Sequence, residues 1–201
     1  MGTLVATSRY VKKVSIDWRE LLPMIIAAGI AAFGGALLVS YLHKEQFMPF
    51  IIIVLIVVLV YTLFNSQLGL EHQHKKREQH KHIFYSLLLG AGIGVYDGVI
   101  GPGTGSFLIF GFIMIFGFDF LRASANAKVI NCVTNFAALT LFLLRGKIIF
   151  SIALPVGIAN LLGNYAGASL ALKKGSGFIR VFFLLVVLAL IIKLGWDYCK
   201  S

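Results

Sequence analysis

The sequence predicts an all-α fold: a polytopic transmembrane helical bundle of six or seven spans, with an internal repeat and one discontinuous helix at Gly101-Pro-Gly-Thr-Gly105. Three observations predict it. Of the 201 residues, 59% are hydrophobic and 13% charged, with a mean hydropathy of +0.90; soluble domains carry about 25% charge. The apolar residues fall into runs close to the roughly 20 needed to cross a bilayer, divided by short polar links. One run, Ile83–Phe118, holds 36 residues with a single charge, Asp97, and a centre too rich in glycine and proline for a regular helix.

Residues 1–64 supply two spans, Leu21–Leu42 and Phe47–Phe64, joined by His43–Gln46. Residues 65–82 form a polar linker rich in His and Lys. Residues 83–201 supply one or two passes within Ile83–Phe118, then Ala125–Leu144, Ile148–Leu172 and Phe178–Trp196, with links at Asp119–Arg122, Arg145–Lys147 and Lys173–Gly177. Arg9, Lys12, Lys13 and Arg19 precede the first span, and Lys75, Lys76, Arg77 and Lys81 follow the second. Two passes separate these clusters, so both lie on one side. The bias of basic residues towards the cytoplasm places the N-terminus and the 65–82 linker inside the plasma membrane and His43–Gln46 outside. Arg145/Lys147 and Lys173/Lys174 bracket one span, so one of those pairs is external.

The same placement explains the net charge of +10. Basic residues between apolar runs are topology signals and lipid head-group contacts, and no aromatic-basic surface suggests nucleic acid. The linker histidines His72, His74, His80 and His82 have no acidic or Cys companion, so a solvated linker is expected rather than a metal site. Cys132 and Cys199 have neither disulfide nor zinc spacing. The N-terminal residues read neither as a signal peptide nor as a myristoylation site. GPGTGS lacks the Lys of a phosphate loop, and Gly92 and Gly94 do not continue into a dinucleotide fingerprint. No cofactor is expected, and no nucleophile–base pairing suggests an enzyme.

A shift of 132 residues superimposes Lys13 on Arg145, Ile16 on Ile148, Pro23 on Pro155, Gly35-Ala36 on Gly167-Ala168, Leu38 on Leu170 and Phe50 on Phe182, without a gap. Such repeats are common in secondary transporters. Under this shift the Gly-rich motif corresponds to positions before Met1. The expectation is either a lost half-site or, preferred, a natural sequence that starts earlier. If Ile83–Phe118 crosses once, the chain has six spans and the copies share an orientation. If it crosses twice, there are seven spans and the copies are inverted.

The chemistry concentrates in two places. After the break, Gly101, Pro102, Gly103, Thr104, Gly105 and Ser106 open an apolar half-helix ending near Phe116. Its first N–H groups have no intrahelical partner and carry partial positive charge. Glycines admit an anion closely, and the hydroxyls orient it; the alternative is a packing turn. Asp97 is costly inside a bilayer, by roughly 2.5–3.5 kcal/mol at its centre. It either carries a proton or pairs with a cation, with Lys128 a candidate, or it merely caps the broken helix. In the second place, Ser124, Lys128, Asn131 and Asn135 are spaced four, three and four, which puts them on one helix face. Lys128 supplies positive charge for an anion, or snorkels to the interface; Asn131 and Asn135 serve the same path or bond across helices. Asn160 and Asn164, beside Gly163 and Gly167, read as close helix packing.

YDGVIGPGTGSFL followed by LRASANAKVINCVTN resembles the TauE/SafE family of sulfite exporters, and KKVSIDWRELLPMIIAAGIAAFGGALL resembles the end of that family's first half. The resemblance covers essentially the whole chain and implies a membrane carrier for a small anion, notably sulfite or an organosulfonate. Carried over by position, the substrate-binding candidates are Tyr96, Asp97, Gly101, Pro102, Gly103, Thr104, Gly105, Ser106, Asn126, Lys128, Asn131 and Asn135. The implied partners are a small anionic substrate, the lipid bilayer and further copies of the chain in a homo-oligomer, with no nucleic acid. Family members open each half with a Gly-rich motif, and this sequence shows one. The competing expectation is therefore a non-transporting membrane scaffold or assembly partner derived from a carrier.

Overall fold

A computed structural model describes residues 2–16, 18–38, 47–72, 79–146 and 149–200. The link His43–Gln46, the linker residues His74, Lys75, Lys76 and Arg77, and Lys147 lie outside the described residues. Every regular element among those described is a helix: α1 (Gly2–Val11), α2 (Trp18–Leu38), α3 (Met48–Phe64), α4 (Gln79–Val99), α5 (Thr104–Gly111) with a π-helical turn at Phe112–Phe116, α6 (Phe120–Leu144) and α7 (Phe150–Lys200). Pro23 and Pro155 each sit sixth in α2 and α7, the same place in the two copies of the repeat.

Four of these helices are long and apolar enough to cross a membrane, beginning with Leu21–Leu38, Lys81–Val99 and Phe120–Leu144. The fourth is Ser151–Lys200, 50 residues long, more than twice the roughly 20 that one crossing needs. It is bent at Gly175, whose φ of 72° and ψ of −167° break the helical geometry. The expected link Lys173–Gly177 has contracted to this one residue. On either side of it, residues 150–174 and 176–200 form two arms that turn back towards the same part of the bundle. Asn164 of the first arm reaches Lys128, and Phe183 of the second packs on Phe120 at 5.4 Å between ring centroids.

The glycine-rich run divides into two parts. Gly90, Gly94 and Gly98 lie inside the regular helix α4, contrary to a break spread over the whole stretch, because they are packing residues. A Cβ at Gly90 would stand 2.7 Å from the Met24 carbonyl oxygen, and one at Gly94 2.5 Å from that of Ala28; at Gly98 it would be closer still to that of Ala32. Ala28, Ala32 and Ala36 are fully buried in this contact. Small residues every fourth position let two membrane helices meet backbone to backbone, where dispersion rather than hydrophobic burial holds them. The partners rise together, Met24 with Gly90 and Ala32 with Gly98, so α2 and α4 are parallel.

The true break is confined to residues 100–103. Gly103 takes φ 90°, a left-handed conformation that costs most residues 1–2 kcal/mol or so, and starts α5. Helix α5 then runs back along α4. Phe107 meets the Tyr96 ring edge-on at 5.1 Å, a Cβ on Gly111 would touch Leu89, and Phe116 reaches His82 at 5.9 Å. Ile83–Phe118 is therefore an out-and-back hairpin. Its returning limb is short: the 8 residues of α5 and 5 of the π turn rise about 20 Å, against a hydrocarbon core of about 30 Å.

This hairpin decides the sense of the repeat. Helix α2 leaves the end of the bundle where α4 and α6 also begin. Its counterpart, the first arm of α7, returns to that end, where Ser176 Oγ donates to Asp119 Oδ1 at 2.9 Å. The aligned copies are inverted. At the same end Asp119 caps α6 by accepting from the Arg122 amide at 3.0 Å, and Phe120 N–H bonds to the Gly69 carbonyl at 2.8 Å. Arg180, opening the second arm, donates to the Thr62 and Asn65 carbonyls at 2.8 and 3.0 Å and to that of Ser66, gathering the orphan acceptors at the end of α3. Lys12, Lys13, Arg19, Lys81, Arg122, Lys173, Lys174 and Arg180 all belong to this basic end.

Candidate functional site

The break is tied off by its own side chains. Tyr96 Oη donates to the Pro102 carbonyl. Thr104 Oγ1 lies 2.6 Å from Asp97 Oδ1 and 2.6 Å from the Gly101 carbonyl oxygen. Thr104 is 3% exposed, so the start of α5 is anchored inside the protein. Tyr96, Asp97 and residues 101–104 thus form one structural knot that fixes where the half-helix begins.

The next residues face a different neighbourhood. Gly105 and Ser106 line a cavity of ≈350 Å³ together with Ser124, Lys128 and Asn131 of α6, Asn164 of the first α7 arm and Phe182 and Phe183 of the second. Its floor is set by helix periodicity: the spacing of Ser124, Lys128 and Asn131 turns all three the same way. A Cβ on Gly105 would sit 3.4 Å from Asn131 Nδ2. A side chain there would fill the space before the α5 N-terminus.

Lys128 Nζ donates to Asn164 Oδ1 at 2.9 Å, and Asn164 Nδ2 in turn donates to the Asn160 carbonyl at 2.8 Å. An ammonium has three donors, and Asn164 is its one described side-chain acceptor. None of the described residues lining the cavity is acidic, so the charge of Lys128 is uncompensated there. Asn131 Oδ1 is buried without a hydrogen-bond partner among the described residues, a rare condition that a donor such as a water relieves.

Of the twelve sequence-predicted residues, Gly105, Ser106, Lys128 and Asn131 line this cavity; Tyr96, Asp97 and residues 101–104 are in the knot, and Asn126 and Asn135 stand apart. Asn126 is 2% exposed, but its amide donates back to the Arg122 carbonyl at 2.8 Å within its own helix. Asn135, one turn beyond Asn131, is exposed and does not line the cavity. Asp97 bonds to Thr104, and Lys128 to Asn164, so the two do not form the expected pair.

Asn164 is the residue the sequence reading misassigned. Gly163 and Gly167 make no close packing contact, since nothing lies within 4 Å of either added Cβ. Asn164 instead holds the lysine. Its i, i+4 relation to Asn160 was visible in the sequence, but beside two glycines that pattern is identical to a packing motif.

Two other cavities are chemically different. One of ≈430 Å³ lies between the end of α3 and the π turn, with Asn65, Gln67 and Glu71 on its wall. One of ≈480 Å³ between α3, α4 and α5 is almost wholly apolar, lined by residues such as Phe47, Val54 and Ile93. Neither brings a half-buried lysine such as Lys128 to a helix N-terminus.

A family model described as Sulfite exporter TauE/SafE matches residues 1–194. The chain is 32% identical over 196 residues to the Probable membrane transporter protein ORF9 of a Sinorhizobium species, a match covering 98% of this chain and 74% of that protein. It is 29% identical over 196 residues to the Probable membrane transporter protein YfcA of Escherichia coli strain K12, covering 98% and 72%. It is 28% identical over 196 residues to a Probable membrane transporter protein of Haemophilus influenzae, covering 98% and 76%. No solved structure matches.

Proposed function

The chain belongs to the sulfite exporter TauE/SafE family, and on that premise we propose that it is a multi-pass membrane transporter carrying a small anion, sulfite or an organosulfonate, across the plasma membrane. One observation carries the choice of an anion: the Lys128 ammonium, with no carboxylate among the described residues lining its cavity, shares that cavity with the first turn of the α5 half-helix. A half-buried charge inside a membrane protein needs compensation, and an oxyanion seated between Lys128 Nζ, Asn131 Nδ2 and the amide of Gly105 supplies it, the Ser106 amide being already bonded to the Gly103 carbonyl at 2.9 Å. Ser106 and Ser124 hydroxyls orient the oxygens, and the rings of Phe182 and Phe183 receive the apolar part of a sulfonate. The inverted copies suit alternating access, in which one repeat rocks against the other around a fixed site. The basic end, with its lysines and arginines, is cytoplasmic under this reading.

Uptake of radiolabelled sulfite into proteoliposomes of the purified protein tests the proposal. Saturable uptake, competed by sulfonates but not by a cation such as choline, supports it; uptake equal to that of protein-free liposomes overturns it.

Asp97 has a separate place in the mechanism. Thr104 has one hydroxyl proton and two oxygen acceptors, Asp97 Oδ1 and the Gly101 carbonyl, each at 2.6 Å. A proton on Asp97 would make the second contact a hydrogen bond, so protonation of this carboxyl tightens the knot at the head of α5. Asp97→Asn retains a bond to Thr104 but exchanges no proton. The expected result is unchanged sulfite binding and loss of the stimulation of uptake by a pH gradient. Stimulation that survives in the variant removes Asp97 from the coupling.

A further inference from the structure

The cavity stops about one helical turn short of the basic end. Its members nearest that end are Ser124 of α6, Ala168 of the first α7 arm and Ile179 of the second. Below them lie Phe120, 0% exposed, with Leu121, Ala171 and Leu172. The Phe120 ring packs on that of Phe183, itself part of the cavity wall. A turn of helix rises about 5.4 Å. An apolar floor of that depth parts the cavity of Lys128 from the side where Lys173 and Lys174 stand exposed.

One polar side chain fastens this floor. Ser176 Oγ donates to Asp119 Oδ1 at 2.9 Å and accepts the Leu121 N–H at 3.2 Å. The carboxylate makes the first of these a charge-assisted bond, roughly twice as strong as a neutral one. Asp119 is itself fixed, because it caps α6 by accepting from the Arg122 amide. The serine, by contrast, stands between two glycines. Gly175 holds φ 72° and ψ −167°, a region that glycine alone enters at ease. A Cβ added at Gly175 or at Gly177 would meet nothing within 4 Å. Ser176 is therefore held by its hydrogen bonds rather than by packing of the backbone around it. Four residues on, Arg180 roots the second arm to the end of α3, so a movement of the hairpin ends there.

We propose that Ser176 is the latch of an inner gate: breaking its two bonds to α6 lets residues 172–178 swing off Phe120 and Leu121 and opens the cavity to the basic end. The idea rests on the reading of that cavity as the anion's site. With the latch closed, as here, the anion has no way through on this side. Ser176 does not line the cavity, so it acts by positioning the hairpin and not by touching the anion. Gating of this kind needs a few residues that absorb the backbone change, and the two glycines supply them.

The test reads access rather than uptake. In a Cys132→Ser, Cys199→Ser background, a Ser124→Cys reporter meets a membrane-impermeant methanethiosulfonate that carries a sulfonate. The vesicles are sealed, and a Lys12→Cys control that reacts at once shows that the basic end faces the reagent. Modification of the reporter should be slow with Ser176 in place and at least ten-fold faster with Ser176→Val, which removes the hydroxyl. Ser176→Thr has the shape of valine and keeps the hydroxyl. It should stay within two-fold of the parent, which a packing role for residue 176 would not give. Asp119→Asn still caps α6 but takes the charge from the latch, and its rate should fall between. Equal rates for valine and threonine, an Asp119→Asn rate no faster than the parent's, or fast modification with both residues intact each overturn the proposal. No sulfite enters the readout. Absent uptake beside an intact valine–threonine difference discards the anion and leaves the gate; uptake without that difference discards the gate alone.

Discussion

Replacing Lys128 by methionine, which keeps the stem and removes the charge, abolishes saturable sulfite uptake. Truncating one side of a fully buried, hydrogen-bonded charge contact costs about 2–5 kcal/mol; Lys128 is half-buried, so the expected loss is near the lower end, roughly thirty-fold in affinity. Here the lysine is also the sole cation among the described residues lining the cavity. The fold should survive, because the ammonium makes one described side-chain bond, to Asn164, and methionine fills the same volume without leaving a charge unpaired. Lys193→Ala is the control: its ammonium forms an exposed pair with Asp197 at 3.0 Å and takes no part in the site. Uptake by Lys128→Met within two-fold of the unaltered protein, at equal melting temperature, would falsify the anion site as drawn.

The second large effect concerns stability. Gly98→Leu should prevent recovery of folded protein, read as loss of the monodisperse peak in detergent gel filtration and of a cooperative melt. Ordinary overpacking costs roughly 1–3 kcal/mol because neighbouring side chains can shift. At Gly98 the obstacles are the Ala32 carbonyl and the Ala36 amide nitrogen, backbone atoms of a fully helical partner with no rotamer to change. Gly92→Leu makes the contrast, since its Cβ would meet nothing within 4 Å and the variant should melt as the parent does. Equal yields from both would mean that α2 and α4 do not touch as described.

These two residues show where sequence stops being informative. Proline between glycines located the break at residues 101–103, because the backbone there loses a donor and gains left-handed freedom whatever surrounds it. Glycine alone was ambiguous. At Gly94 and Gly98 it serves contact between helices, and at Gly103 it serves a turn; composition gives both the same letter. The polar face of α6 was legible from its spacing, since three of its members, Ser124, Lys128 and Asn131, do line one cavity. How far that face stays inside the bundle depends on what packs against each turn, and Asn135 lies beyond the cover. Asn164 was hidden for the converse reason: its importance comes from Lys128, 36 positions away. The sense of the repeat was also out of reach, because 132-residue matching is blind to direction and only the returning limb α5 settles it.

Arg180 leaves one more trace. Its guanidinium fastens the end of α3 to the start of the second α7 arm, and the repeat makes those two helices counterparts of each other. The position matching Arg180 is Met48, at the far end of the same helix pair, which has no guanidinium to offer. The pair is therefore a pair of scissors with its rivet at the basic end, while at the other end Ile51 and Leu194 are held by apolar packing. Spin labels at the exposed positions 50 and 192 should report a broad spread of separations, and labels at 64 and 181 a narrow one; equal widths would mean the rivet does not hold. Any separation of these two helices is then expected at the end away from Arg180.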